Sequence, residues 1–197
     1  MSMARLLCVF FLIVFFRHSL HSQPPEYFQK QAMILKRAIE KNHYSPRTVD
    51  DSFSLQVFNR FMERLDDDKL IFLKIDIDQL SSYRFQIDDE LMGRSWNFLP
   101  AISSLYKSRL LMDDSLIRSI TDKAFDFTIQ ENFSLKADTQ YARTNQEYES
   151  RWRKWLKYET MMKIYDMNLT SSKEFTGKSF TKFEEDARTK IKNMELR

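Results

Sequence analysis

Glycine occurs only at positions 93 and 177, proline only at 24, 25, 46 and 100, and cysteine only at 8. With so little glycine, the positive-φ positions demanded by tight hairpins are scarce, which disfavours a hairpin-rich β fold. Phosphate-cradling loops are excluded for the same reason, because their backbone must approach the ligand closely. Cys8 lies inside an unbroken apolar run, Leu6 to Phe16, so removing that run leaves neither disulfides nor thiolate metal sites. Only Arg5, Leu6 and Leu7 separate Cys8 from the first four residues, too little apolar sequence for a lipoprotein leader. The run is shorter than the roughly 20 residues that cross a bilayer as a helix. Histidine is scarce too: beyond position 22 only His43 remains, so a histidine metal cluster or a serine–histidine relay would rest on one side chain.

Charge of one sign is also missing. The formal net charge is +3, and a leader ending at Ser22 takes Arg5 and Arg17 with it, leaving 29 bases against 28 acids, or +1. Nucleic-acid binding needs a concentrated basic patch, so no nucleic-acid partner is expected. The Arg5, apolar-run and Ser22 succession has the form of a secretory signal cleaved near Ser22, which leaves no stable membrane span.

What remains is rich in apolar matter, 43% hydrophobic and 14% aromatic, and calls for a packed core. Phe28, Ala32, Leu35 and Ile39 are expected to form one buried face of a helix ending near Asn42 to Pro46. Asp50 and Asp51 are candidate caps for a helix carrying Phe53, Val57, Phe61 and Leu65. The Asp66, Asp67, Asp68 triplet reads as a solvated helix end, since an EF-hand cage needs alternating ligands, a turn glycine and a distal glutamate. Leu70 to Leu73 is expected to be extended or irregular, with a short helix from Asp76 or Asp78 to about Tyr83. Leu99, Ile102, Tyr106 and Leu110 outline a helix that continues or restarts through Ile117, Ile120, Ala124 and Phe127.

After a polar connection, Ser134 to Asn145, the residues Tyr148, Trp152, Trp155, Tyr158, Met162 and Tyr165 form an aromatic band on one helix. Arg151, Arg153, Lys154, Lys157 and Lys163 are placed on its solvated side, so a base-stacking surface is disfavoured. A loop from Asn168 to Lys178 precedes a last helix through Phe180, Phe183, Ala187, Ile191 and Met194. The methionines, among them Met33, Met62, Met112, Met161, Met162 and Met194, are read as scattered core rather than as a groove. The sequons at Asn132 and Asn168 match a short, common pattern and carry no conclusion. His43 is read as a structural residue at a helix end. The fold class is therefore all-α, a multi-helix bundle-like domain with irregular connections, preceded by a signal peptide.

Ile34-Leu35, His43-Tyr44, Val49 to Ser54, Val57 to Phe61, Leu65-Asp66, Leu70 to Leu73 and Asp76 to Asp78 follow in an order that resembles one family. It is the N-terminal domain of tail-specific, or carboxy-terminal-processing, periplasmic serine proteases. Phe125 to Thr128 and Arg151 to Lys154 fall where further similar segments are expected. The resemblance implies a signal peptide over 1–22, a helical domain over 23–197 and, in longer relatives, a following PDZ module and a serine–lysine core. The family's nucleophile and lysine lie downstream, so this stretch inherits no catalytic residue, no cofactor and no metal site. The sequence stops at Arg197 inside a helical pattern without a glycine or proline stop, which reads as truncation. The expected role is a periplasmic or otherwise exported noncatalytic scaffold for substrate or an adaptor protein, not an enzyme by itself. Trp152, Trp155, Tyr158 and Phe180 are its candidate packing residues, between helices or against the PDZ and protease domains. The alternative is a free-standing exported helical adaptor.

Overall fold

The computed structural model describes residues 25–45, 48–134, 140–169 and 177–196. The leader over 1–22 lies outside them, as do parts of the two expected connections, 135–139 and 170–176. Among the described residues there are seven α-helices and no strand, so the chain is all-α. They are α1 (Pro25–Asn42), α2 (Asp51–Leu65), α3 (Lys74–Leu80), α4 (Ile87–Leu91), α5 (Phe98–Thr121), α6 (Asn145–Leu169) and α7 (Gly177–Glu195). A 3₁₀ turn, Ser81–Tyr83, extends α3.

Local chemistry fixes the boundaries. Asp50 caps α2 by accepting the Phe53 N–H at 3.0 Å. Pro100 falls in the first turn of α5, where its missing N–H removes no intrahelical bond. Short α4 would be marginal alone. Its start is held by Ser54 of α2, whose hydroxyl accepts from the Asp88 N–H at 2.8 Å and donates to the Asp88 carboxylate at 2.6 Å. Its end turns at Gly93, with φ +78°, and a β-carbon there would stand 2.8 Å from the Met33 sulfur of α1. The missing side chain thus serves both the turn and the approach of α1.

Two apolar cores result. The first gathers Phe58, Met62, Phe72, Leu80, Ile87, Phe98 and Ile102 from α2 through α5. The second gathers Leu73, Ile117, Ala142, Tyr148, Trp152, Leu156 and Ile191 under α5, α6 and α7. Neighbouring Phe72 and Leu73 enter different cores, so the irregular segment 66–73 is the joint between them. It leaves helical geometry because its backbone donors are taken by side chains, as described below. Lys74 then donates its N–H to the Ala142 carbonyl at 2.8 Å, pinning the joint to the entry of α6.

Five expectations need correction. The face of α1 expected to be buried leaves Phe28, Leu35 and Ile39 about half exposed or more, because its neighbours reach only one edge of the helix. The helix after Pro100 runs unbroken to Thr121 but does not reach Ala124 or Phe127. There the Asp126 carboxylate accepts the Thr128 N–H at 2.8 Å, a local turn that competes with the helix. Helix α6 buries Tyr148, Trp152, Leu156, Thr160 and Ile164, whereas Met162 and Tyr165 of the expected band are exposed. Asp66 is buried rather than solvated. Of the methionines, Met62 is core, but Met112, Met161, Met162 and Met194 are exposed.

Candidate functional site

The joint is built on carboxylates. Asp66 accepts the N–H groups of Leu70 at 2.9 Å, Ile71 at 3.2 Å and Phe72 at 3.0 Å. Lys69 turns the chain at φ +57° and donates its ammonium to the Asp66 and Asp67 carbonyls. Burial pushes the Asp66 carboxyl up, against the three N–H donors that pull it down. Both Asp66 oxygens are thus turned toward the backbone of the joint. Among the described residues no group of three or more histidine, cysteine, aspartate or glutamate side chains could hold a metal ion.

The outward face of the joint meets α5 and α6. Trp152 donates its indole N–H to the Leu70 carbonyl at 2.9 Å. The Tyr148 hydroxyl lies 3.1 Å from the Ile71 carbonyl and is also bonded to Asp113 Oδ1. Burial pushes the Asp113 carboxyl up to about 6, while the Tyr148 hydrogen bond and Arg109 oppose it and Asp66 adds to it. Tyr148 is driven upward by burial and by Asp113. At the start of α3, Asp76 accepts the Leu73 N–H at 2.8 Å and grips Arg109 of α5 in a buried two-pronged pair, at 2.7 and 2.8 Å.

Helix α7 is tied across the end of α5 in the same manner. Buried Glu184 accepts the Phe125 N–H at 3.1 Å and Arg188 Nε at 2.8 Å, and Arg188 also donates to the Thr121 carbonyl. Lys192 adds an exposed pair with Asp122 at 2.9 Å. Glu90 caps α5 by accepting the Asn97 and Phe98 N–H groups.

The four candidate packing residues do not share one environment. Trp152 is buried in the second core. Trp155 is half-buried and donates to Glu195 of α7 at 3.2 Å. Tyr158 stacks on Phe133 with ring centroids 4.7 Å apart, so this chain's own 125–134 stretch covers it. Phe180 is 39% exposed, with its ring edge-on to Phe127. Beside them Glu131 pairs with Arg153 and Lys157, which hold its carboxyl down at about 2. Those cations are therefore spent on an internal strap. His43 sits at the end of α1, where its Nδ1 accepts the Ser45 N–H at 3.1 Å.

Sequence reasoning missed the buried acids Asp66, Asp76, Asp88, Asp113, Glu90 and Glu184. It also missed a groove of 410 Å³ between α1, α2 and α4, lined by Leu35, Ile39, Val49, Phe53 and Leu91 with His43 at its rim. A run such as Leu70 to Leu73, too irregular for a helix yet too apolar for a free loop, must find backbone partners nearby, and the acids bracketing it were the available signal.

Helices tied by backbone-capping carboxylates around two apolar cores define a helical packing domain. Residues 35–196 match the family described as tail specific protease N-terminal domain. The chain belongs to that family.

Proposed function

We propose that this chain is the noncatalytic N-terminal helical region of a tail-specific, carboxy-terminal-processing serine endopeptidase. It acts as a scaffold that packs on the PDZ and protease domains and helps engage a protein substrate or an adaptor. Its setting is the periplasm, reached by a leader removed near Ser22. Among the described residues no helix is long and apolar enough to cross a membrane.

The observation that carries the reading is the continuous family match over 35–196. Supporting it, the buried acids other than Asp113 are engaged with backbone N–H groups, ion pairs or, for Asp88, the Ser54 hydroxyl inside the domain. Apolar side chains remain exposed on α1, where Ile34 and Leu35 are about 60% exposed. Uncovered apolar surface of this kind marks contact with another protein surface.

The test adds the purified chain to a PDZ–protease core of the family from which the N-terminal region has been deleted. Binding to that core, with restored cleavage of a labelled C-terminal peptide and no cleavage by the chain alone, is expected. Hydrolysis by the chain alone would sink the noncatalytic assignment. Failure to bind the core, alongside capture of a different exported protein, would favour the free-standing adaptor.

A further inference from the structure

The Tyr148 hydroxyl has one proton and two acceptors, the Ile71 carbonyl and Asp113 Oδ1. Were Asp113 a carboxylate, one of those contacts would set lone pair against lone pair. Its second oxygen, Oδ2, is buried and has no hydrogen-bond donor. Asp66, with three N–H donors, shows what a buried carboxylate requires; Asp113 meets only the Tyr148 hydroxyl and, more weakly, the Trp152 indole. A neutral Asp113 removes the conflict. Its Oδ1–H donates to the Tyr148 oxygen, and the Tyr148 O–H donates to Ile71, so every proton has one acceptor and the charge stays on Asp66.

We propose that Asp113 is held neutral in the folded domain and closes a proton-dependent latch, through Tyr148, on the segment joining the two cores. Loss of that proton removes the relay and loosens the joint.

The surrounding charges fit this assignment. On α5, Arg109 is committed to Asp76 of α3, and Asp114 is paired with Arg118. From the joint, Asp66 faces Asp113 with its negative charge, and Lys69 is spent on backbone carbonyls. From α6, Trp152 gives its N–H chiefly to Leu70 and opposes the rise of Asp113 only as the last and smallest cause. Burial raises Asp113 to about 6. A carboxyl that binds its proton more tightly when folded stabilises the fold fully below its unfolded value of about 4, and that contribution is lost as pH climbs through the folded value. The latch therefore holds in mild acid and slackens toward neutrality.

The decisive experiment follows the Asp113 side-chain carboxyl carbon by NMR in the full chain between pH 4 and pH 8, with amide-exchange protection at Ile71, Phe72 and Leu73. A midpoint near 6 is expected, with protection falling by about tenfold or more across that midpoint. In Asp113→Asn the amide donates permanently to Tyr148, so protection should stay high and lose its pH dependence. A midpoint in the ordinary aspartate range, or protection independent of pH in the unmodified chain, would overturn the proposal. The titration of the unmodified chain decides the matter even if the variant does not fold.

Discussion

Helices α1 and α6 invert the usual relation between pattern and burial. In α1 the apolar residues segregate sharply to one side, yet not one described residue is fully buried, and Ile34, Leu35 and Ile39 are about half exposed or more. In α6 apolar and polar residues are spread around the helix, yet it buries five residues along its length. Amphipathic pattern records how much apolar surface a helix needs covered, whereas burial records how much the neighbouring chain covers. For α6 one face is covered along its length, because α5, the joint and α7 lie against it, while Met161, Met162 and Tyr165 stay exposed on the other side. For α1 the cover is partial, limited to a docking edge where Met33 meets Gly93 and Gln29 donates to the Ser95 carbonyl at 3.0 Å. The shortfall on α1 is the surface that the proposed scaffold role employs.

The comparison breaks most readily at the centre of α6. Leu156 is fully buried in the second core, so Leu156→Ala removes its methyl groups and leaves a cavity that α5 and α7 cannot refill without moving. A loss of about 2 to 5 kcal/mol is expected, measured by urea denaturation of the chain. A loss well under about 1 kcal/mol would mean that the second core is loosely packed.

A smaller effect is expected where α7 is tied to α5. Glu184→Ala frees the half-buried Phe125 N–H and deprives Arg188 of its carboxylate while the aliphatic contacts of α7 survive. About 2 to 3 kcal/mol should be lost, because hydrogen bonds involving a charged group carry more than neutral ones. Exchange at the α7 amides should rise before exchange at the α2 amides, and equal acceleration in both would show that the two cores unfold as one unit.

How much of this was legible beforehand depends on whether a residue's burial follows from its own chemistry. Ile102, Ile117 and Ile191 are apolar at helical spacing, and their places in the cores follow from that; on α2 the expected face of Phe53, Val57, Phe61 and Leu65 is only half-buried, and the flanking Phe58 and Met62 enter the core instead. The Asp50 cap and the irregular state of Leu70 to Leu73 were readable for similar reasons. Register on α6 was not. Its buried residues advance by four, and each such step overshoots a 3.6-residue turn by about 40°, so the covered face winds around the helix. A fixed aromatic stripe therefore begins in the core at Tyr148 and leaves it by Tyr165, while polar Thr160 is carried inside. The buried acids were harder still, because a charge is ordinarily solvated and only the unmet backbone donors around it reveal otherwise.

The smallest expected effect sharpens the contrast most, because it repeats the α6 substitution on α1. Leu35 lies 62% exposed at the rim of the 410 Å³ groove, so truncating it returns little apolar surface to water and opens no closed cavity. Leu35→Ala should change stability by no more than about 0.5 kcal/mol, and alanine's better helix propensity offsets part even of that. Under the proposed role the same change weakens association with the PDZ–protease core, since the lost side chain is one of those left uncovered. Stability and association then separate at Leu35 and fall together at Leu156. Loss of several kcal/mol from Leu35→Ala would place α1 in the folding core; unchanged association would remove this face from the scaffold's contact surface.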